Sequence, residues 1–193
     1  MITIHIAAII SLCVIIMSAF GVLEITAKRT QISAFELAFA GIIMLVLSNF
    51  SIFIIPELKI NAAALCLPLY FMVVSVSKNE NDKVGGITFL ILFSLLTGIV
   101  GSAAHDQYRT LAVGVCCSVS GVVFRKTPAF ALMIAALLPV SSSVFGAMTE
   151  FIRYSYASCD LSSNALLDTQ AISCLLSGAV LSMVINKSKV IKA

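Results

Sequence analysis

The sequence predicts an all-α integral membrane protein, a polytopic bundle of about seven transmembrane helices. Its 193 residues are 60% hydrophobic and 11% charged, and the mean hydropathy is +1.10, whereas about 25% of the residues of a soluble domain are charged. Apolar runs recur along the whole chain, and most approach the roughly 20 residues that a helix needs to cross a bilayer. Basic residues concentrate in alternate loops, as in multi-pass membrane proteins. Together these features exclude a soluble enzyme, a nucleic-acid-binding protein and a disordered tail.

Seven apolar segments follow one another in a single membrane domain, residues 1–193. The first has no Lys or Arg before its apolar stretch, so we interpret it as a retained helix and not a cleaved signal peptide. The fifth is short, and it crosses fully only if it begins within residues 105–110; otherwise it is a partial or re-entrant segment. No loop is long enough to form a separate domain. The segments are residues 2–23, 32–55, 60–77, 84–104, 111–124, 128–149 and 165–186.

The basic residues predict that the N-terminus is outside and the C-terminus inside. With seven helices in this orientation, nine of the twelve Lys and Arg residues fall in inside segments, where the positive-inside rule requires them. Six helices, with the fifth removed, would place Arg125 and Lys126 outside. We expect the plasma (inner) membrane of a bacterium. The inside residues are Lys28, Arg29, Lys78, Lys83, Arg125, Lys126, Lys187, Lys189 and Lys192, and the outside ones are Lys59, Arg109 and Arg153.

Two prolines interrupt predicted helices near the middle of the bilayer. Pro68 in the third helix and Pro139 in the sixth each remove a backbone donor and free the carbonyl four residues earlier, that of Ala64 or Ala135. If the helices are grouped as three, three and one, the two triplets run in opposite senses and the prolines occupy corresponding helices. Transporters build midplane sites from broken helices at matching positions of inverted repeats. A grouping of three, one and three, as in small sugar carriers, also accommodates seven helices.

Other polar groups within the predicted membrane segments complete a candidate binding site. Glu36, about one turn into the second helix, has two interpretations. It is a site for a proton, a cation or a substrate amine, or it is an interfacial carboxylate that snorkels or pairs with Lys28, Arg29 or Lys126. Asn49 and Tyr70 are candidates to line the midplane beside the prolines. Asn49 and Gln170 also have the simpler interpretation of hydrogen bonds between helices.

A second set of polar residues lies at the predicted outer boundary. His5, His105, Asp106 and Glu150 would all face this side, where they are candidates for metal binding or acid–base chemistry. No two of them have the spacing of a known ligand pair, and solvated loop ends explain them equally well. We therefore predict no metal site and no catalytic residue. The six cysteines contain no CxxC pair, and no nucleotide or haem motif occurs, so we predict no cofactor.

Small residues recur every four positions in several predicted helices and indicate close helix packing. Such faces also suit contact with another copy of the chain or with other membrane subunits, in addition to the lipid bilayer; no nucleic-acid partner is expected. The sixth helix has the longest such stripe, formed by Ala131, Ala135, Pro139, Ser143 and Ala147.

The preferred function is that of a membrane transport component for a small solute or ion, with a midplane site near the two proline-broken helices. One alternative is a non-catalytic membrane subunit, or an assembly or interaction protein of a larger complex. A second alternative is a membrane enzyme with an outward-facing His/Asp/Glu site. An enzyme is the less favoured class because the sequence holds no complete catalytic constellation.

Overall fold

The computed structural model describes residues 5–55, 58–80, 83–103, 106–154 and 160–190. This part of the chain is helical apart from one small sheet, so the predicted helical class is confirmed. The helices are α1 (Ile6–Ala19), α2 (Glu24–Thr30), α3 (Ala34–Leu47), α4 (Ala62–Ser77), α5 (Lys83–Ala103), α6 (Asp106–Cys117), α7 (Ser120–Val123), α8 (Pro128–Tyr154) and α9 (Asn164–Val190). The strands are β1 (Ser51–Ile55), β2 (Leu58–Asn61) and β3 (Asp160–Leu161).

Three helices of the described chain are long and apolar enough to cross a membrane. Their apolar stretches are Val84–Gly101 in α5, Pro128–Met148 in α8 and Asn164–Ile185 in α9. At about 1.5 Å per residue, about 20 residues match a hydrocarbon core roughly 30 Å thick. Four shorter apolar helical stretches lie at the other predicted segments: Ile6–Ala19, Ala34–Leu47, Ala62–Ser77 and Tyr108–Val123.

The outer surface of the bundle is rich in large apolar side chains, as expected where a protein faces lipid. Val73 in α4 is 67% exposed, Ile99 in α5 65% and Met183 in α9 67%. Soluble monomers rarely expose large contiguous apolar patches. Together with the three long helices, this surface is consistent with a membrane protein.

Residues 51–55 form a strand, whereas the sequence predicted the end of the second helix there. Helix α3 stops at Leu47, and β1 pairs antiparallel with β2, with Ser51 opposite Asn61. The β-branched isoleucines of β1 favour an extended chain. The side-chain amide of Asn61 donates to the carbonyl of Ser48, 2.7 Å away, which ties the hairpin to the end of α3. Asn49 therefore lies in a turn and not in a helix.

Other boundaries also differ from the predicted ones. The first segment ends as a helix at Ala19, because the chain turns at Gly21, whose φ of 71° suits glycine. The fifth segment is divided into α6 and the single turn α7. Helix α8 continues to Tyr154, beyond the predicted end at residue 149.

The core lies where α4, α8 and α9 pack together. Ala131 and Ala135 of α8 are fully buried, as is Pro139, so this part of the predicted small-residue stripe faces neighbouring helices. Small side chains let helix backbones approach closely, which replaces the hydrophobic force that lipid cannot provide.

The connections between helices collect at two ends of the bundle. At one end Lys78 Nζ donates to the carbonyl of Gln31, 2.6 Å away, and Glu80 contacts the start of α8. At the other end β3 pairs parallel with β2, with Asp160 opposite Lys59. There the start of α1 is held by Asp168 Oδ1, which accepts from the backbone N–H of Ala7 at 2.7 Å. Helices α3 and α4 run between the two ends.

Candidate functional site

The two prolines lie on α4 and α8, at places where both helices pack against α9. Pro68 and Pro139 are both buried inside their helices. Because proline has no N–H, it cannot donate to the carbonyl four residues earlier. The carbonyls of Ala64 and Ala135 therefore need donors from outside their own helices, in a region from which water is excluded.

Helix α9 supplies those donors. Gln170 Nε2 donates to the carbonyl of Ala64 at 3.0 Å and to that of Ala136 at 2.8 Å. Ser173 Oγ donates to the carbonyl of Ala135 at 2.8 Å. Gln170 and Ser173 lie three positions apart, so they share one face of α9. We call this arrangement the central junction; it consists of Ala64, Pro68, Ala135, Ala136, Pro139, Gln170 and Ser173.

One acceptor of the central junction has no donor. Gln170 is 0% exposed, and within the described chain its Oε1 atom has no hydrogen-bond partner. An unpaired buried polar atom costs about 1–3 kcal/mol, so native structures rarely leave one without a reason. The junction thus combines three backbone carbonyls, a hydroxyl and a free amide oxygen, with no formal charge among its members. Such a set suits a cation or a neutral solute that carries N–H or O–H groups.

Glu36 lies at one end of the bundle and not at the central junction. Its side chain accepts from the backbone N–H of Ser33, and the Ser33 hydroxyl accepts from the N–H of Glu36, which makes a capping box for α3. Its Oε2 atom also lies 2.7 Å from Lys78 Nζ, and both side chains are about one-fifth exposed. Tyr70 donates its hydroxyl to the carbonyl of Glu36 at 3.1 Å. The structure therefore groups Glu36 and Tyr70 but keeps both apart from Asn49, which follows the far end of α3.

Glu80 completes this end of the bundle and was missed by sequence reasoning. Its Oε2 atom accepts from the backbone N–H groups of Ala129 at 2.7 Å and Phe130 at 3.2 Å, so it satisfies the free donors of the first turn of α8. Burial raises the pKa of Glu80 above its usual value, against the two N–H donors and the charge of Lys78, which lower it. No local pattern marks this residue, because its partners lie about fifty positions away.

His5 and Asn49 meet in a polar cavity of about 300 Å³ beneath the β1–β2 hairpin. Asn61 shapes this cavity, because its amide donates to Ser48 and its Oδ1 atom accepts from the N–H of Ala63 at 2.9 Å. We call it the hairpin pocket. Its polar lining consists of His5, Ser48, Asn49, Ser51, Asn61, Ser162 and Asn164.

The rest of the predicted outer set is not placed by the structure. His105 lies outside the described residues. Asp106 begins α6 and Glu150 lies within α8, but neither side chain is described. Among the described side chains, no group of three or more His, Cys, Asp or Glu residues is arranged to hold a metal ion. Of this candidate set, the structure describes the side chain of His5, which lines the hairpin pocket.

The role of Gln170 was partly visible in the sequence, because a buried amide is expected to bond between helices. Its two bonds, to α4 and to α8, confirm that expectation. Ser173 is one of the small residues that recur in the seventh predicted helix, and the sequence indicated no further role for it. Two sequence features together could have identified both residues. Gln170 and Ser173 lie three positions apart on one helix face, and two other helices each contain a proline that leaves a carbonyl in need of a donor.

Comparisons with protein-family models, with curated proteins and with solved structures give no match to this chain. Its function has to be inferred from the geometry of the chain itself.

Proposed function

We propose that the chain is a membrane transport component for a small solute or ion, and that the solute passes the central junction. The observation that carries this proposal is the unpaired Oε1 atom of Gln170, fully buried beside the carbonyls of two proline-broken helices. Backbone carbonyls at helix breaks are the groups with which transporters bind ions at the bilayer midplane.

The proposal includes seven membrane crossings, with the N-terminus outside and the C-terminus inside a bacterial plasma membrane. This topology is supported by the positions of the helix connections, which lie in two groups at opposite ends of the bundle. Lys78, Gln31 and Glu80, which the positive-inside rule assigns to the inside, lie together at one end. The hairpin and Asp168, assigned to the outside, lie together at the other end.

The chemistry of the central junction favours a cation or a hydrogen-bond donor as the solute. Gln170 Nε2 already occupies a donor position between the carbonyls of Ala64 and Ala136. A solute with its own donors replaces this amide when α9 shifts away from α4 and α8. The arrangement described here is therefore the closed state, in which α9 covers the acceptors. An anion is disfavoured because the junction presents mainly oxygen atoms.

The remaining predicted residues flank this junction. Asn49 lies in the hairpin pocket, which we assign as the outer approach, whereas Glu36 and Tyr70 lie at the inner end. The salt bridge between Glu36 and Lys78 then acts as an inner barrier that a cation has to pass.

Flux measurements in proteoliposomes test the proposal. Sodium, potassium and ammonium gradients serve as cation probes, and glycerol serves as the uncharged probe. We expect the wild-type protein to conduct at least one of these probes. We expect Ser173→Ala to lower that rate about tenfold, because it leaves the carbonyl of Ala135 unpaired. Ser94→Ala is the matched control, since Ser94 is a fully buried serine that bonds to Ser141 on another helix, away from the prolines.

Two results would contradict the proposal. The first is wild-type flux no higher than that of empty liposomes for all four probes. The second is an equal loss of flux in Ser173→Ala and Ser94→Ala, which would show that any weakening of the bundle stops transport.

The alternative function, a non-catalytic membrane subunit, is favoured by one observation. Among the described residues, a Cβ atom built on Gly98 meets no side chain or neighbouring backbone within 4 Å, so the described chain does not fill the space beside it. A second copy or another membrane subunit would pack there. Affinity purification from native membranes tests this: a stoichiometric partner that Gly98→Leu removes supports the subunit, and a self-contained particle argues against it.

A further inference from the structure

A second cavity lies between α1 and α3 on one side and α4, α8 and α9 on the other. It has a volume of about 280 Å³, and its lining is almost entirely apolar. Leu67, Phe71 and Leu132 form its buried wall, whereas Met17, Leu175 and Ala179 are exposed. The cavity therefore opens sideways between α1 and α9, on the surface where large apolar side chains face outward. We call it the apolar cavity.

Met44 joins this cavity to the hairpin pocket. Its side chain lines both, and it is only 3% exposed. Methionine is unbranched and has three rotatable bonds, so the Met44 side chain can adapt its shape to a ligand that lies against both spaces. The hairpin pocket, which is polar and lies near one end of the bundle, thus adjoins the apolar cavity, which opens between α1 and α9.

The hairpin pocket has hydrogen-bonding side chains that face the cavity, and His5 is the one basic residue of its described lining. Within the described part of the chain, no hydrogen bond engages the side chains of Asn49, Ser51 or His5, and all three line the hairpin pocket. Neither Lys nor Arg belongs to its described lining. Amides and hydroxyls bind hydroxyl groups well, whereas phosphate favours arginine or lysine. The hairpin pocket therefore suits an uncharged, hydroxyl-rich group.

We propose that the two cavities together bind a single-chain lipid with a polyol headgroup, of the monoacylglycerol class. The headgroup occupies the hairpin pocket and bonds to Asn49 and Ser51, the hydrocarbon chain lies in the apolar cavity, and Met44 packs at the junction between them. The apolar cavity is separate from the central junction. The hairpin pocket is shared with the outer approach assigned to the transported solute, but lipid binding is measured by labelling, which needs no flux and stands or falls apart from transport.

A photoreactive monoacylglycerol, with a diazirine on its acyl chain, tests the site. The protein is placed in nanodiscs of a two-chain phospholipid, because alkyl sugar detergents would themselves compete for the site. After illumination, the labelled residues are identified by mass spectrometry. We expect saturable labelling concentrated at Met44, Leu175 and their neighbours in the apolar cavity. Labelling spread evenly over outward residues such as Val73 and Leu92 would overturn the proposal, because it is the pattern of ordinary surrounding lipid.

Two glycines provide a matched pair of variants. Gly178 lines the apolar cavity, and a Cβ atom there meets nothing within 4 Å, so Gly178→Leu fills the cavity without a clash of its Cβ atom. Gly98 is equally open but does not line the cavity. We expect Gly178→Leu to reduce saturable labelling at least tenfold and Gly98→Leu to leave it unchanged. Equal labelling in both variants would refute the site.

The headgroup assignment has its own test. An excess of unlabelled monooleoylglycerol should abolish the labelling, whereas oleic acid or lysophosphatidic acid at the same concentration should not. In Asn49→Leu the polyol should lose its advantage over oleic acid. If the charged lipids compete as well as monooleoylglycerol with the wild-type protein, the polyol assignment is wrong.

Discussion

The central junction and the hairpin pocket are both rich in polar groups, but they use them in opposite ways. In the central junction the side-chain donors, Gln170 Nε2 and Ser173 Oγ, are all engaged, and they bond to backbone carbonyls of α4 and α8. In the hairpin pocket the side chains of Asn49 and Ser51 face a cavity. In the closed arrangement described here, the polar residues of the central junction therefore bond to one another's helices and become available to a solute only when α9 moves, whereas those of the hairpin pocket already face open space.

Replacement of Gln170 should have the largest effect on stability and separates the two regions most clearly. Gln170→Leu removes both donors: the carbonyl of Ala64, which Pro68 frees, becomes unpaired in the core, and the carbonyl of Ala136 loses its bond to α9. An unpaired buried carbonyl costs about 1–3 kcal/mol and the lost bond about 1 kcal/mol, so the free energy of unfolding should fall by roughly 2–4 kcal/mol. Denaturant unfolding followed by circular dichroism measures it. Asn49→Leu is the matched amide replacement in the hairpin pocket, and its effect should stay within about 0.5 kcal/mol. Similar losses in both variants would contradict the distinction.

Ser173 should show an intermediate effect. Ser173→Ala removes one donor from the carbonyl of Ala135 and leaves no steric conflict, so we expect a loss of about 1–3 kcal/mol. The same unfolding experiment measures it. Combined with Gln170→Leu, the two losses should not add, because both residues lie on one face of α9 and serve adjacent carbonyls. Strict additivity would mean that they act independently.

A smaller effect, which depends on pH, is expected at Glu80. Its raised pKa means that the protonated form favours the folded state, so this contribution is present below about pH 4.5 and is lost as pH rises through the higher folded-state pKa. Glu80→Gln keeps an oxygen acceptor for Ala129 and Phe130 but cannot ionise. Its stability relative to the wild type should therefore increase as pH rises from 4 toward 7, by less than about 1 kcal/mol because the group is partly exposed.

Thermal unfolding in detergent at a series of pH values checks this prediction. A Glu80→Gln variant whose advantage instead grows toward acidic pH would show that the carboxylate is stabilised in the folded protein.

The smallest effect on stability is expected at His5. Its half-buried side chain has no hydrogen-bond partner in the described chain, so His5→Ala should change the free energy of unfolding by no more than about 0.5 kcal/mol. The same unfolding measurement applies. A loss of several kcal/mol would show that the hairpin pocket supports the fold as strongly as the central junction does.

Much of the fold could be predicted because lipid imposes simple rules on sequence. Apolar length located the helices α5, α8 and α9, and the lack of a proline N–H identified the freed carbonyls of Ala64 and Ala135. The strand Ser51–Ile55 was not predicted, because a short isoleucine-rich run fits an apolar helix as well as a buried strand. The pairing with β2 that decides between them is a tertiary contact.

The sequence likewise predicted some features of the candidate site and not others. Pro68 and Pro139 lie on helices that α9 joins, whereas Glu36 and Asn49 lie at opposite ends of α3, because a position along a helix does not show which neighbours it meets. The donors came from α9, more than thirty residues from either proline-freed carbonyl. The contacts of Glu80 with α8 and of Lys78 with Glu36 were likewise not predicted, because their partners are distant in the sequence and meet them only in the folded chain.

The most direct test of the transport proposal is the accessibility of the central junction during flux. Ser173→Cys is exposed to a water-soluble methanethiosulfonate reagent in proteoliposomes, and modification is read site by site by mass spectrometry so that the native cysteines do not interfere. Ser94→Cys, buried elsewhere in the bundle, is the control. We expect Ser173→Cys to be unreactive at rest and reactive while a gradient of the transported cation is applied, with Ser94→Cys unreactive throughout. Flux that proceeds while Ser173→Cys stays unmodified would show that the solute does not pass this junction.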